Sequence, residues 1–212
     1  MADYTLHCFL ESGNAYKAAL MLQLAGADWQ AQHVDFFNGG NRTPEFHAMN
    51  ELGEVPVLID HTKGDLSISQ SGVILWHLAD RFPQFAATNA TEHREVLRWL
   101  FWDNHKFTGY LSIYRFLNKF LGKGETPEAE FMKARMITAF KALDRRMDGR
   151  DWVAADHMTI ADISLAGYCY WPDHYGTDWA DYPNIKRWLA RIADHPNYKT
   201  PEEILPASAA DA

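Results

Sequence analysis

The order of apolar and polar positions at the start of the chain predicts a strand, a turn and a helix. Residues 4–10 alternate between strongly apolar positions and more mixed ones, which is typical of a largely buried strand. From Ala15 onward, apolar residues recur at helical spacing, and Gly26 stands where such a helix would stop. The polar turn between the two elements places Ser12 at the predicted helix start.

Five further elements are predicted before residue 83. They are a strand over residues 28–37, a short helix from Thr43-Pro44, strands over residues 55–60 and 65–68 paired as a hairpin, and a helix from residues 69–72 to about 82. The apolar face of the last helix is predicted to include Val73, Leu75 (or Ile74), Leu78 and Ala79. The predicted order is therefore βαβ-α-ββα, an α/β arrangement.

Pro56 lies inside the third predicted strand, where proline is unusual because it has no N–H to donate to a ladder. A cis Val55–Pro56 bond would explain its position and would turn the backbone of Val55 outward. An extended, peptide-like ligand could then pair with Val55. The alternative is an ordinary trans proline at the start of a strand.

From residue 83 the pattern predicts helices alone, so we place a domain of residues 1–82, a linker of residues 83–90 and an all-α domain of residues 91–212. The predicted helices cover residues 93–121 and 128–147, a segment that follows a capping box of Thr159 and Asp162, and a last amphipathic segment from residue 183. The tail from Pro201 is predicted to be loosely ordered.

Composition excludes several classes of function. The net charge of −8 and the absence of clustered Lys and Arg argue against a nucleic-acid partner. Ten histidines and two cysteines show no ligand spacing, so we expect no metal, and so few cysteines fit a reducing, cytoplasmic setting. An early acid and the lack of a long apolar run predict neither a signal peptide nor membrane insertion.

Ser12 is the first candidate for chemistry. The first backbone amides of a helix lack partners within it and carry the positive end of the macrodipole, so an anion placed there is stabilised. If the anion is a thiolate, the Ser12 hydroxyl can donate to it and lower the thiol pKa. The alternative is that Ser12 is only an N-cap.

A second anion site is predicted where the helix after residue 69 begins. The side chains of Gln70 and Ser71, together with the Ser71 amide, could hold a carboxylate. Polar residues in this position are also commonly caps without any ligand.

Together these motifs resemble the cytosolic glutathione S-transferase superfamily over nearly the whole chain, in particular its bacterial serine- and threonine-type classes. Residues 12–17 are similar to its catalytic turn, residues 54–58 to its cis-proline strand and residues 70–74 to its γ-glutamyl site. Residues 42–46 and 159–162 also resemble family segments.

The resemblance implies a thioredoxin-like N-terminal domain, an all-α C-terminal domain and a two-fold homodimer that uses glutathione as co-substrate. It implies that Ser12 contacts the glutathione sulfur with help from Asn14. It also implies that Val55, next to Pro56, pairs with the cysteinyl backbone. Further roles at the γ-glutamyl end are implied for Gln70, Ser71 and, from across the dimer, Asp103.

A pocket for a second, apolar substrate is expected beside the sulfur. Its expected residues are Phe9, Leu10, Tyr110, Tyr114 and Trp171. Two departures stand out: Gly13 occupies a position where relatives often have proline, and residues 103–109 match no familiar family segment. Cys8 lies in the strand before Ser12, which disfavours a cysteine-type mechanism.

Three functions remain open at this point. The leading hypothesis is an enzyme that activates glutathione for attack on a small apolar electrophile. The second is a glutathione-dependent disulfide-bond reductase, and the third is a transferase-like scaffold that binds a protein partner without turnover.

Overall fold

The computed structural model describes residues 2–208 and residue 211. The described residues form two compact units. One comprises the chain up to residue 82 together with the segment from residue 195, and the other comprises residues 83–194. The domain limits expected from the sequence place that last segment with the helices instead.

The first unit contains the predicted βαβ-α-ββα order, which is confirmed. Its elements are β1 (Tyr4–Cys8), α1 (Gly13–Leu24), β2 (Trp29–His33), α2 (Pro44–Met49), β3 (Val57–Asp60), β4 (Leu66–Ser69) and α3 (Ser71–Arg81). The strands form one mixed sheet in the order β2-β1-β3-β4, with β1 parallel to β2 and antiparallel to β3. Strands β3 and β4 form the expected antiparallel hairpin.

Two strand boundaries differ from the expectation. Strand β2 ends at His33 because the chain turns into two short 3-10 segments, Phe36–Asn38 and Gly40–Arg42. The Gly40 amide donates to Asp35 O at 2.7 Å, which closes this turn. Strand β3 begins at Val57, after a Val55–Pro56 bond that is cis, which is the alternative that the resemblance implied rather than the trans bond that the residues also left open.

The core of this unit lies between the sheet and the helices α1 and α3. Leu6 in β1 pairs with Ala31 and Leu58 and is fully buried. On α3, Ile74 and Leu75 are fully buried, but Val73 is 54% exposed, contrary to the predicted apolar face. Ile74 and Leu78, four residues apart, define the buried stripe, and Val73 lies off it.

The end of the chain is also different from the expected loose tail. A short helix, α9 (Pro201–Ile204), forms there, and Leu205 is buried. Pro206 O accepts from the Leu10 amide at 3.0 Å, and Lys199 O accepts from the Tyr16 hydroxyl at 2.7 Å. These bonds fix the chain on both sides of Ser12, two residues before it and four after it.

The second unit is helical, as predicted. Its helices are α4 (Ala90–Trp102), α5 (Thr108–Arg115), α6 (Pro127–Arg146), α7 (Ile160–Ala166) and α8 (Pro183–Ala193), with short 3-10 segments at Pro83–Phe85, Pro172–His174 and Trp179–Asp181. The single helix expected over residues 93–121 is instead interrupted by π-helical segments at Asp103–Phe107 and Phe116–Phe120. Across the first of these, the Thr108 hydroxyl donates to Asp103 Oδ1 at 2.7 Å.

Among residues 2–208 and 211, none of the helices has the length and hydropathy needed to span a membrane.

Asp162 forms hydrogen bonds with three parts of the helical unit. The predicted capping box with Thr159 is present. The buried carboxylate also accepts from the Val153 amide at 2.8 Å and the Trp188 indole N–H at 3.0 Å. Burial raises the pKa of Asp162, and these donors oppose that effect.

We predict that Asp162→Ala lowers the free energy of unfolding by about 3 kcal/mol or more, because buried N–H donors lose their acceptor. The control is Asp178→Ala, which removes an exposed cap from the Ala180 amide and should cost about 1 kcal/mol or less. Urea denaturation of both variants measures the difference. Equal effects would contradict a central structural role for Asp162.

Candidate functional site

The start of α1 has the geometry of an anion site. Ser12 is its N-cap, and Ser12 Oγ accepts from the Ala15 amide at 3.1 Å. Because this bond uses a lone pair of the oxygen, the hydroxyl proton stays available for a further acceptor. The residue is 7% exposed, so an acceptor held there would be largely shielded from water.

Two backbone amides also support an anion site at the start of α1. Within the described part of the chain, neither the Gly13 nor the Asn14 amide has a hydrogen-bond acceptor. These are the first amides of α1, where the positive end of the helix dipole lies. The hydroxyl and both amides can therefore serve one anion.

The start of α3 lies next to the start of α1. The Ser71 hydroxyl donates to Asn14 Oδ1 at 3.3 Å and thereby links the two helix starts. Gln70, which precedes α3, has a φ of +67°. Residues other than glycine rarely adopt this positive-φ backbone conformation. The amides of Ser71 and Gly72 have no acceptor among the residues that the structure describes.

Val55 provides an unpaired stretch of backbone beside these helix starts. It is half-buried and precedes β3, whose Val57 pairs with Ser69 at the end of β4, just before Gln70. Over the described ranges neither its amide nor its carbonyl has a hydrogen-bond partner. Ser12, Asn14, Val55, Gln70 and Ser71 thus all belong to the first unit.

Glu54 is a candidate that sequence reasoning missed. Its carboxylate accepts from the Gln70 side-chain amide at 2.7 Å. This bond leaves the Gln70 carbonyl oxygen and the second Glu54 oxygen as acceptors at the mouth of α3. The pair joins residues sixteen apart in sequence, so only the hairpin between them could have indicated it.

Asn41 is a second candidate that was missed. Its side-chain N–H donates to Gly53 O at 2.7 Å, while its Oδ1 is buried and has no partner in the described part of the chain. A buried acceptor of this kind calls for a donor. Gly53 itself has a φ of +63°, and a Cβ there would come within 2.9 Å of the His47 ring.

Asp103 does not suit the role that the resemblance gave it. It is fully buried inside the helical unit, and its two oxygens accept from the hydroxyls of Thr108 and Ser164 at 2.7 and 2.5 Å. A carboxylate without exposed surface cannot reach a ligand in another subunit. We therefore correct this assignment: Asp103 stabilises the π-helical segment and its contact with α7.

The residues expected around a second substrate divide between the two units. In the first, Phe9 stacks on Phe36 with ring centroids 4.7 Å apart, and the Leu10 amide is tied to the chain end. In the second, Tyr114 and Trp171 are almost fully buried, whereas Tyr110 is half-buried. The pocket itself stays a prediction.

Cys8 is poorly suited to be a nucleophile. It is fully buried, and burial raises the pKa of its thiol to about 12. A thiol with this pKa carries almost no thiolate near neutral pH. In the described ranges there is also no cluster of three or more His, Cys, Asp or Glu residues that could hold a metal ion.

Comparison with known proteins identifies the family. The N-terminal domain model of glutathione S-transferases matches residues 2–80, and the C-terminal domain model matches residues 90–196. A glutathione S-transferase structure from Pseudomonas fluorescens superposes with a TM-score of 0.87 at 30% identity, covering 94% of this chain and 99% of that one.

Two curated relatives are described as something other than a glutathione transferase. The disulfide-bond oxidoreductase YfcG of Escherichia coli is 27% identical, and the match covers 96% of this chain and 95% of that protein. The transcriptional regulator URE2 of Saccharomyces cerevisiae is 24% identical over 92% of this chain and 66% of its own length. With both domain models matched, the chain belongs to the glutathione S-transferase family.

Proposed function

We propose that the protein is a glutathione transferase that binds glutathione, stabilises its thiolate at Ser12 and promotes attack on a small apolar electrophile. The observation that carries this proposal is the bond from the Ala15 amide to Ser12 Oγ. It orients the hydroxyl so that its proton can be donated outward, beside the free amides of Gly13 and Asn14.

The interactions at Ser12 provide enough free energy to lower the pKa of the bound thiol by about two units. Lowering a thiol pKa from about 8.5 to about 6.5 requires about 2.7 kcal/mol. A hydrogen bond to a charged group contributes about 1.5–3 kcal/mol, and a helix start adds about 0.3–1 kcal/mol. Ser12 therefore has no need to ionise.

The rest of the tripeptide fits the groups around Ser12. The γ-glutamyl carboxylate is assigned to the Ser71 hydroxyl and the free amides at the start of α3, and the ammonium to Glu54 and Gln70. The Val55 backbone pairs with the cysteinyl residue in antiparallel fashion. Pro56 is buried and shapes this strand entry.

In the proposed reaction the thiolate attacks an electrophilic carbon. A C–S bond forms, and the leaving group departs with the bonding electron pair. The apolar body of the electrophile rests against the phenylalanine cluster of Phe9 and Phe36 in the first unit. Proximity and the larger thiolate fraction supply the rate gain.

A second candidate is glutathione-dependent disulfide reduction, which is favoured by the similarity to YfcG over nearly the whole chain. Here the same thiolate attacks a sulfur atom, a new disulfide forms, and the other sulfur leaves as a thiolate. Activity on a glutathione-capped disulfide but not on an aryl halide would select this candidate.

A third candidate is a scaffold without turnover, for which the relationship to the regulator URE2 is the supporting observation. Calorimetry that detects no glutathione binding at millimolar concentration would favour it. The homodimer, the cytoplasmic location and the serine- or threonine-type class stay predictions.

We predict that Ser12→Ala lowers kcat/KM for chlorodinitrobenzene up to about fiftyfold at about pH 6.5, because the bound thiol loses its donor and a smaller fraction of it is ionised. Ser12→Thr, which keeps a hydroxyl, should retain most of the activity. Thr126→Ala is the control for cap loss, since Thr126 Oγ1 accepts from the Ala129 amide at the start of α6. Full kcat/KM in Ser12→Ala would contradict the proposal.

We predict that Glu54→Gln raises the Kd for glutathione about tenfold, because the ammonium loses a charged acceptor. The matched control is Glu51→Gln, an exposed glutamate three residues earlier, which should bind as the wild type does. Isothermal calorimetry on both variants provides the measurement. If the two variants bind equally well, Glu54 has no part in the site.

We predict that neither cysteine reacts with Ellman's reagent in the folded protein, since Cys8 and Cys169 are both buried. Both should react after unfolding in guanidinium, and Cys8→Ala should retain turnover. A fast-reacting thiol in the native protein, together with loss of turnover in Cys8→Ala, would point to a cysteine mechanism instead.

A further inference from the structure

The chain end of the first unit follows helix α1 in the reverse direction. Asn197 donates from its side-chain amide to Leu24 O at 3.3 Å, in the last turn of α1. Two residues later, Lys199 O accepts from the Tyr16 hydroxyl at 2.7 Å, in the first turn. We call the segment of residues 197–206 the strap, since it contacts α1 at both ends.

The strap is an ordered part of the first unit. The Thr200 amide donates to Glu203 Oε2 at 2.7 Å, which stabilises the start of α9. Pro201, Leu205 and Pro206 are buried. Because the strap buries apolar residues and caps its own helix, its backbone carbonyls are held at fixed positions.

Two bonds of the strap lie on either side of Ser12. Pro206 O accepts from the Leu10 amide at 3.0 Å, two residues before Ser12, and the Tyr16 hydroxyl is bound four residues after it. The Tyr16 amide in turn donates to Ser12 O at 2.9 Å. Tyr16 therefore holds the Ser12 backbone with its amide while the strap holds its own side chain.

Tyr16 is suited to fix a position because its ring has no freedom to move. The residue has no exposed surface, and its phenol donates to a carbonyl that belongs to a separate, packed segment. A buried hydroxyl keeps close to its acceptor, because losing that bond in a site without water is unfavourable. The first turn of α1 is thus tied to the strap at a defined distance.

We infer that Tyr16 is a positioning residue, through which the strap holds the Ser12 hydroxyl where a bound thiolate requires it. The inference rests on the proposed function, because it assumes that Ser12 donates to the glutathione sulfur. Tyr16 acts through Ser12 and needs no contact with the ligand. When its bond to Lys199 is lost, the start of α1 shifts, the bond from Ser12 to the sulfur weakens and the thiolate fraction falls.

The test is Tyr16→Phe, which removes the hydroxyl and keeps the ring. We expect the pKa of bound glutathione, measured by NMR titration of its labelled cysteinyl β-carbon, to rise by about half a unit to one unit. At about pH 6.5, kcat/KM for chlorodinitrobenzene should fall about two- to fivefold. Near pH 9 it should equal that of the wild type, because the bound thiol is ionised in both proteins.

Tyr175→Phe is the matched control. Tyr175 is also almost fully buried, and its hydroxyl donates to a backbone carbonyl, Tyr168 O, at 3.1 Å in the helical unit. This variant loses the same kind of bond and should lower the urea midpoint to a similar extent. It should leave the bound pKa and the pH profile unchanged, which separates positioning from stability.

Leu205→Ala tests the strap without changing α1, and it decides the inference if Tyr16→Phe does not fold. Removing this buried side chain should loosen the strap, so the Leu10 amide should exchange with deuterium faster and the bound pKa should rise. Leu189→Ala, at a comparably buried leucine of α8, is its control and should change neither quantity.

A bound pKa in Tyr16→Phe equal to that of the wild type, or raised as much in Tyr175→Phe, would overturn the inference. The proposed function would still stand, because the wild type would keep its lowered pKa. If the wild type itself binds glutathione with the pKa of the free tripeptide, the proposed function fails and this inference fails with it.

Discussion

The hydrogen bond between the Ser71 hydroxyl and Asn14 Oδ1 connects two helix starts that the sequence separates by more than fifty residues. Each start has amides without an acceptor in the described part of the chain, so each offers a partial positive charge. Their adjacency turns two ordinary caps into one extended anion site. The proposed site for a tripeptide with a thiolate and a terminal carboxylate depends on this arrangement.

The rest of the first unit keeps these helix starts in place. The parallel pairing of β1 with β2 and the antiparallel hairpin of β3 and β4 bring residues 12, 55 and 70 to one end of the sheet. The segment from residue 195 then fixes Leu10 and Tyr16 through two backbone carbonyls. The chain end therefore holds the turn that carries Ser12.

Local signals in the sequence were sufficient to predict much of this structure. The alternation of residues 4–10 and the spacing of Thr159 and Asp162 each predicted a feature that the structure contains. The unusual position of Pro56 indicated the cis bond as one of two alternatives. These features depend on a few neighbouring residues. Ser12 and Ser71 could be recognised as caps for the same reason, although their joint role depends on the resemblance to glutathione transferases.

The errors arose where distant residues decide the outcome. The sequence suggests that Asp103 is an accessible carboxylate on a helix, and only the packing of Ser164 from α7 shows that it is buried. The tail from Pro201 has a loose composition, but its Pro206 carbonyl accepts from the Leu10 amide near the other end of the chain. Glu54 and Gln70 meet across a hairpin whose register no single stretch of sequence defines.

The most direct measurement is the titration of the bound thiol. Glutathione labelled with carbon-13 at the cysteinyl β-carbon can be titrated by NMR on the protein, and its apparent pKa compared with that of the free tripeptide. We expect the bound pKa to be about two units lower in the wild type. A bound pKa equal to that of free glutathione would contradict the role of Ser12 and of the helix start behind it.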